Sequence, residues 1–306
     1  MGTSIVGSRT PALDSHRWER WWVASRPRTL TMAVAPVLAG ASLAWSHGAT
    51  PDLPVFALTL ACAVLIQVGT NFLNDVADHE KGNDGADRVG PLRITAAGWA
   101  TPAEVKRAAW LAFGVALALG LVLVWSGGVA ILALGLVSIA AGWAYSGGPR
   151  PVSYRATGEA FVLTFFGLVA VTGSHYLQAG HWSPVAVATG AALGAMAAAV
   201  LLLNNYRDLA PDAAAGRRTL AAALGAARAR LVYAALMLLP FGLPAWLALR
   251  DPPVPYAWLA WLAAPLAVNA IAEMRVRTGA ALNGVLGQTA IAQFAFAVLL
   301  SVGLLL

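Results

Sequence analysis

Two stretches of this sequence carry acidic and amide side chains at the ends of long apolar runs. They are Asn71–Asp78, which reads NFLNDVAD, and Asn204–Asp212, which reads NNYRDLAPD. A carboxylate at such a place in a membrane protein is costly unless it pairs with a cation or binds a ligand, and it therefore indicates function. Two clusters of this kind predict a pair of metal sites that face one shared polyanion.

Within each cluster the Asn and Asp residues recur at helical spacing. The sets that share one helical face are Asn71, Asp75 and Asp78, and either Asn204 or Asn205 with Asp208 and Asp212. These are hard oxygen ligands with no Cys nearby, and such ligands favour magnesium over zinc or copper. We therefore expect two magnesium ions that bridge a diphosphate, while Arg and Lys of the adjoining loops neutralise its remaining charge.

The elements that must position these clusters are membrane-spanning helices. The chain has 306 residues, of which 59% are hydrophobic and 11% charged, and this composition excludes a soluble domain. Nine apolar runs approach the length that crosses a bilayer. They are Thr29–Ser46, Leu53–Leu73, Ala108–Trp125, Gly128–Tyr145, Gly158–Tyr176, Pro184–Leu203, Leu231–Leu249, Pro255–Ile271 and Gln288–Leu306. The prediction is an all-α integral membrane protein with nine transmembrane helices: one domain, 29–306, that follows an N-terminal segment, 1–28.

The distribution of Lys and Arg predicts the orientation in the membrane. All of the 20 Lys and Arg residues except Arg250 fall in loops on one side of the nine predicted helices. Positive charge accumulates on the cytoplasmic side, so this side and the N-terminal segment are expected to be cytoplasmic. Both acidic clusters then emerge on the same face. The basic balance reflects topology, and no nucleic-acid partner is expected.

With these motifs the chain resembles the UbiA superfamily of intramembrane prenyltransferases, which carry two aspartate-rich motifs after helices two and six. Within it, the resemblance is to the branch that prenylates 1,4-dihydroxy-2-naphthoate. The segments that carry it are SRPRTLTMAVAPVLAG (Ser25–Gly40), NFLNDVADHEKGNDGADRVGPLR (Asn71–Arg93), YSGGPRPVSYRATGE (Tyr145–Glu159), NNYRDLAPDAAAGRRTLAAALG (Asn204–Gly225) and, more weakly, LNGVLGQTA (Leu282–Ala290). The loop PRPVSYRATGE departs from the Gly- and Tyr-rich stretch expected there.

The resemblance implies a helical bundle with a central cavity and assigns roles to individual residues. The implied magnesium ligands are Asp75, Asp78, Asp208 and Asp212, with Asn71 and Asn205 as neutral ligands. Arg93 joins the four aspartates as a catalytic residue that stabilises the leaving diphosphate. The remaining implied substrate-binding residues are Asn74, Lys81, Asp84, Asn204, Arg207, Arg217, Arg26, Arg28, Tyr145 and Glu159.

The implied reaction joins a polyprenyl diphosphate and an aromatic acid in the bilayer. Ionisation of the donor gives an allylic carbocation, which the ring of 1,4-dihydroxy-2-naphthoate attacks with loss of carbon dioxide. The product is a demethylmenaquinol of menaquinone biosynthesis, formed at the cytoplasmic side of a bacterial cell membrane. Arg26 or Arg28 is expected to pair with the acceptor carboxylate.

Two other functions fit part of this pattern. A prenyltransferase for another aromatic acceptor, or a related terpene cyclase, would share all of these motifs. A transporter built from repeated helices would place its charged residues near the middle of the membrane, whereas both clusters here lie at the ends of apolar runs.

Overall fold

The computed structural model describes residues 18–82, 89–148, 150–251 and 253–306, and within these ranges it contains helices and turns without a β-strand. The α-helices are α1 Glu19–Ser25, α2 Pro27–Ser46, α3 Leu53–Glu80, α4 Pro102–Ser146, α5 Gly158–Leu163, α6 Ala170–Ala179, α7 Pro184–Arg207, α8 Leu209–Ala214, α9 Leu220–Leu238, α10 Gly242–Leu249, α11 Ala264–Val276 and α12 Leu282–Leu305. A π-helical turn, Thr164–Val169, joins α5 to α6, and 3-10 segments join α9 to α10 and precede α11 and α12.

In the described part of the chain, eight helical stretches are long and apolar enough to cross a membrane. The molecule is an integral membrane protein. Seven of the nine predicted spans each correspond to one of these stretches, although the last, Gln288–Leu306, extends one residue beyond Gly279–Leu305. The other two, Ala108–Trp125 and Gly128–Tyr145, lie together in the 45-residue helix α4.

Helix α4 is interrupted at its centre by Gly128, whose φ of 61° and ψ of −158° are not helical. A straight helix of this length would extend about 68 Å, roughly twice the hydrocarbon thickness of a bilayer. A Cβ atom added to Gly142 would lie 3.3 Å from Cε1 of Phe113, on the other side of Gly128. The chain therefore turns back at Gly128, and α4 forms two antiparallel arms.

Helix α7 lies at the centre of the larger hydrophobic core, with Leu193, Met196 and Leu203 fully buried. The π-helical turn packs backbone against backbone on this helix, because a Cβ atom on Gly167 would lie 2.2 Å from the carbonyl oxygen of Gly190. Small residues permit such close contacts in membrane bundles. The packing fixes the position of α7, whose C-terminal end carries the second acidic cluster.

The two acidic clusters have different backbone structures. Helix α3 continues past its apolar run to Glu80, so the first cluster lies on one helix, as expected. The second does not: α7 ends at Arg207, and Asp208 has a φ of −97° and a ψ of 18°. The ring of Pro211 would clash with the carbonyl group of Arg207 in a continuous helix. The prediction of one helical face from Asn204 to Asp212 was therefore wrong, and Asp212 lies on α8.

Candidate active site

A cavity of about 760 Å³ connects the two acidic clusters with the apolar interior of the bundle. Its polar end is lined by Arg26, Arg28, Asn71, Asn74, Asp78, Arg93, Asn204, Asn205, Arg207, Asp208, Asp212, Arg217 and Asn283. The remainder lies between α3, both arms of α4 and the α5–α6 segment, and its lining is largely aliphatic and aromatic. Such a cavity can hold a charged head and a long apolar tail at the same time.

Arg217 connects the two clusters directly. Its guanidinium group donates from one nitrogen to Oδ1 of Asp78 at 2.6 Å and from the other to Oδ1 of Asp212 at 3.1 Å. Asp78 and Asp212 are buried, and Arg217 is largely so. The expectation that the two clusters face one shared site is therefore met in the structure.

The charges at this junction shift two pKa values outside the membrane-spanning segments. Burial opposes the charged form of Arg217, but the carboxylates of Asp78 and Asp212 outweigh it and raise the Arg217 pKa. Burial also raises the pKa of Asp212, against the opposing effect of Arg217. Oδ2 of Asp212 is buried and has no hydrogen-bond partner among the described residues. Asp212 thus presents an unused carboxylate oxygen in the wall of the cavity.

Asp75 has a different role from the metal ligand that the sequence predicted. Its two carboxylate oxygens accept hydrogen bonds from the backbone N–H groups of Ile94 at 3.0 Å and Thr95 at 3.1 Å, and a third from the Thr95 hydroxyl. Asp75 is not among the described residues that line the cavity. It instead holds the loop that follows the first cluster.

Helix geometry explains this difference. Successive residues are rotated by about 100° around a helix axis, so Asn74 and Asp78 lie on one side of Asn71 and Asp75 lies on the other. The side with Asn74 faces the cavity. The side with Asp75 faces the loop, which it orders so that Arg93 donates to the carbonyl oxygen of Asn74 and to the carboxylate of Asp78.

Arg207 occupies both carboxylate oxygens of Asp208, with a 2.8 Å bond from Nε to Oδ1. It also donates to the amide oxygens of Asn204 at 3.0 Å and Asn283 at 2.7 Å. Asn283 in turn donates to the carbonyl oxygen of Val89 at 2.8 Å. The network connects the second cluster to α12 and to the loop after the first cluster. Arg207 and Asp208 therefore hold these elements together, in addition to any contact that they make with substrate.

The predicted amide ligands also support the surrounding elements. Asn71 donates to the carbonyl oxygen of Ser25 at 2.8 Å, and Asn205 donates to Oε1 of Glu159 at 2.9 Å. The described side-chain hydrogen bond of Asn205 is made by its nitrogen, so Oδ1, the atom that would bind a metal ion, has no described partner. Glu159 is buried behind Asn205 and is not among the described lining residues, so it supports the site from behind.

The predicted acceptor residues Arg26, Arg28 and Tyr145 line the cavity. Arg26 joins α1 to α2 with a left-handed φ of 55°, an uncommon value for a residue other than glycine. Such strain occurs at functional sites. Of the other predictions, Lys81 is exposed and outside the described cavity lining, and Asp84 lies outside the described residues.

Two residues at this site were missed from the sequence. Tyr154 lies between two cations, with Nζ of Lys81 4.4 Å and Cζ of Arg217 4.5 Å from its ring centroid. Its carbonyl oxygen accepts a 3.0 Å bond from the N–H of Arg218. Asn283 is the second. The available signals were the Arg- and Tyr-containing loop PRPVSYRATGE and the segment LNGVLGQTA, neither of which indicates a specific contact.

The residues present fit magnesium. Among the described residues, no three His, Cys, Asp or Glu side chains converge to coordinate one ion. Magnesium needs only one or two carboxylates, because water and substrate phosphate complete its coordination. Asp78 and Asp212 lie within reach of a single guanidinium group, and Oδ2 of Asp212 is unused. The donor set consists of hard oxygens, as this ion requires.

Comparison with known proteins identifies the family and the fold. The model of the UbiA prenyltransferase family matches residues 33–283. The 1,4-dihydroxy-2-naphthoate octaprenyltransferase of Mycobacterium tuberculosis is 39% identical over 280 residues, which cover 91% of this chain and 94% of that protein. The enzyme of the same name from Escherichia coli is 38% identical, with 83% and 84% covered. The structure of a UbiA homologue from Archaeoglobus fulgidus bound to DMAPP and Mg²⁺ has a TM-score of 0.64 at 17% identity and covers 94% of this chain and 99% of that one.

Proposed function

The chain belongs to the UbiA prenyltransferase family, and from this membership we propose that it transfers a polyprenyl group from polyprenyl diphosphate to 1,4-dihydroxy-2-naphthoate with loss of carbon dioxide. The product would be a demethylmenaquinol of menaquinone biosynthesis. Two relatives that carry the name of this activity are 39% and 38% identical over most of both chains, which supports this acceptor over other aromatic acids.

One observation carries the proposal. Arg217 joins Asp78 of the first cluster to Asp212 of the second at the polar end of a cavity whose remaining wall is apolar. A diphosphate with an isoprenoid tail has the same division between a charged head and an apolar chain. A transporter would need its charged groups near the middle of the membrane, whereas Asp78 lies two residues before the end of the candidate span Leu53–Glu80 and Asp212 and Arg217 lie beyond the end of Pro184–Arg207.

We propose that Asp78, Asp212 and Oδ1 of Asn205 hold magnesium with the diphosphate, and that Asp208 contributes when Arg207 turns to the substrate. Two ions remain our prediction. When bound, magnesium supplies positive charge that neutralises the diphosphate and makes it a better leaving group. Arg93, Arg217 and Arg28 supply hydrogen-bond donors and charge at the same end of the cavity.

The proposed reaction proceeds by ionisation of the donor. The allylic carbon–oxygen bond breaks, and its electron pair leaves with the diphosphate, whose growing charge the arginines stabilise. The ring carbon that carries the acceptor carboxylate attacks the allylic cation. Carbon dioxide then leaves, and its bonding electrons restore the aromatic ring. The enclosing apolar wall excludes water, which would otherwise capture the cation.

For the acceptor, we propose that Arg26 or Arg28 pairs with the carboxylate and that Tyr145 contacts the ring. All three line the cavity. Arginine suits this task because its planar guanidinium group binds a carboxylate through two parallel hydrogen bonds. Lys81, Asn74 and Asn204 remain proposed contacts of the diphosphate.

We further propose nine membrane crossings, with the N-terminus and the polar end of the cavity on the cytoplasmic side of a bacterial cell membrane. The turn at Gly128, which divides α4 into two antiparallel arms, supports this number. The excess of Lys and Arg on one side supports the orientation.

The test is an assay of purified protein with magnesium, a polyprenyl diphosphate and a panel of aromatic acids, with products identified by mass. We expect a prenylated naphthalene-diol that lacks the carboxylate, loss of activity in excess EDTA, and recovery with magnesium. A product that retains the carboxylate, or a preference for a benzoate, would contradict the proposed acceptor. A cyclised terpene formed without an acceptor would identify a cyclase, and full activity in EDTA would contradict the metal site.

A further inference from the structure

Two glycines in the apolar wall of the cavity leave space where a side chain would be. Gly120 and Gly135 both line the cavity, and a Cβ atom added to either would meet no other atom within 4 Å. Gly142, another glycine of the cavity wall, is packed instead: a Cβ added there would lie 2.6 Å from Oγ1 of Thr70. The space at Gly120 and Gly135 is therefore not needed for helix packing.

The antiparallel arms of α4 place these two glycines beside each other. Phe113 and Gly142 are neighbours across the arms, which fixes their register. Gly120 and Gly135 each lie one heptad, about two helical turns, closer to the turn at Gly128. After two turns a residue lies on the same side of its helix, so Gly120 and Gly135 are also on the facing sides of the two arms. Because neither has a side chain, a gap remains between the arms at this level.

The gap reaches the outer surface of the bundle. Leu117, Leu121 and Leu136 lie beside the two glycines and line the cavity, and they are also between 38% and 54% exposed. Because these residues both line the cavity and are exposed, the apolar part of the cavity opens between the arms of α4. In a membrane-spanning segment such an opening faces lipid.

We infer that Gly120 and Gly135 form the passage through which the far end of a long polyprenyl tail leaves the cavity, and that they determine which donor lengths are accepted. The inference rests on the proposed function, because it assigns a path to the tail of that donor. A short tail would end inside the cavity. A long tail would extend between the arms, where a larger side chain would obstruct it.

The position of Cys62 provides a marker for this path. Cys62 lines the cavity, and its Sγ lies 3.5 Å from the carbonyl oxygen of Ala116, one turn of helix before Gly120. Along α3, Cys62 is about 24 Å from Asp78 at the usual rise per residue. Only a tail of several isoprene units extends that far. Cys62 is the single cysteine of the chain.

The first experiment compares kcat/KM for octaprenyl diphosphate and geranyl diphosphate in the parent protein, Gly120→Phe and Gly135→Leu. We expect the ratio of the long to the short donor to fall at least tenfold in both variants, with Gly120→Ala intermediate. The matched control is Gly114→Phe, because Gly114 is on the same arm, has equal space at its Cβ position, faces outward and is not among the described lining residues. An unchanged ratio in folded Gly120→Phe and Gly135→Leu, or an equal fall in Gly114→Phe, would overturn the inference.

The second experiment measures binding without turnover and so separates this inference from the proposed reaction. Protein in detergent, with calcium in place of magnesium and without acceptor, is treated with methyl methanethiosulfonate. Modification of Cys62 is measured from the mass of the intact protein. We expect octaprenyl diphosphate to slow the modification at least fivefold in the parent protein, geranyl diphosphate to have little effect, and Gly120→Phe to abolish the protection. Equal protection by both donors, or full protection in Gly120→Phe, would overturn the tail path even if the enzyme is active. A parent protein that shows this protection but forms no prenylated product would overturn the proposed reaction instead.

Discussion

At the scale of residues, cations outnumber carboxylates around the polar end of the cavity. The described lining contains Arg26, Arg28, Arg93, Arg207 and Arg217, but of the acidic residues only Asp78, Asp208 and Asp212. Two of these carboxylates are held by arginines on both oxygens. The excess positive charge suits a diphosphate, and each Asp–Arg pair can be rearranged when the substrate supplies alternative partners.

The two acidic residues Asp212 and Asp75 should respond differently to replacement by asparagine. We expect Asp212→Asn to raise the magnesium concentration for half-maximal activity at least tenfold, because it removes the charge beside the unused Oδ2. Asp75→Asn leaves a loop N–H without its acceptor, so it should lower the free energy of unfolding by about 1–3 kcal/mol with little change in the magnesium requirement. Activity titrations with magnesium and thermal unfolding of both variants test this. The reverse pattern would restore Asp75 as a ligand.

A conservative exchange to lysine distinguishes the role of Arg26 from that of Arg28. A lysine keeps the charge but loses the paired hydrogen bonds to a carboxylate. We expect Arg→Lys at whichever residue binds the acceptor to raise the KM for 1,4-dihydroxy-2-naphthoate about tenfold and to change the KM for the donor less than twofold, as bidentate charged bonds contribute about 1.5–3 kcal/mol. Steady-state kinetics with each substrate varied in turn measure this. Equal changes in both KM values, in both variants, would place neither arginine at the acceptor.

Much of this residue-scale arrangement could be predicted from the sequence. From the spacing of Asn71 and Asp78 and the charge of the following loops, the sequence predicted that the clusters and arginines share one site, and they line one cavity. The role of Asp75 could not be predicted, because a rotation of about 40° around the helix separates a cavity-facing position from a loop-facing one. Which carboxylate oxygens are already paired depends on loop conformations that no spacing encodes.

At the scale of elements, three connecting segments meet above the polar end of the cavity. Lys81 follows the first cluster, Tyr154 lies in the connection from α4 to α5, and Arg217 follows the second cluster; the ring of Tyr154 contacts both cations. The N–H of Arg218 donates to the backbone of the same residue. Tyr154 therefore fixes the position of Arg217, which itself connects Asp78 and Asp212.

Replacement of Tyr154 tests this role. We expect Tyr154→Leu to raise the KM for the polyprenyl diphosphate about tenfold, because each cation–π contact contributes about 0.5–2 kcal/mol, while Tyr154→Phe retains most of the parent affinity. Trp246→Leu is the control, since it removes an aromatic ring 5.8 Å from Cζ of Arg250, away from the described cavity lining. Steady-state kinetics with the donor varied measure these KM values. Equal increases in Tyr154→Phe and Tyr154→Leu would contradict the role of the ring in positioning Arg217.

Apolar runs predicted where helices lie but not where they end. Helix α3 continues seven residues past its predicted end, Leu73, because its polar face is satisfied by the following loop. Helix α7 stops at Arg207 although the Asn and Asp spacing continues, because Pro211 interrupts the helical backbone. An apolar run marks the part of a helix that lies in lipid, and the ends of α3 and α7 that carry the acidic clusters lie beyond their apolar runs.

At the scale of the whole molecule, the described surface of the bundle is strongly apolar. Large residues such as Leu111, Trp125 and Leu249 are more than two-thirds exposed, as lipid-facing side chains are. Length and composition alone identify eight candidate spans among the described residues, because a hairpin with a very short turn resembles one long helix. Only the side of the membrane on which each connection lies can decide how often α4 crosses.

Site-directed labelling decides the number of crossings and the orientation together. In a Cys62→Ala background, single cysteines replace four exposed residues in connections: Ala97, Ala156, His181 and Arg218. If α4 crosses twice, Ala97→Cys and Ala156→Cys are on the same side; a single crossing puts them on opposite sides. We expect a membrane-impermeant maleimide to label both of these and Arg218→Cys only in inverted vesicles, and His181→Cys only in intact cells. Labelling of Ala97→Cys and Arg218→Cys from opposite sides would contradict more than the topology, because Arg217 could not then lie between Asp78 and Asp212.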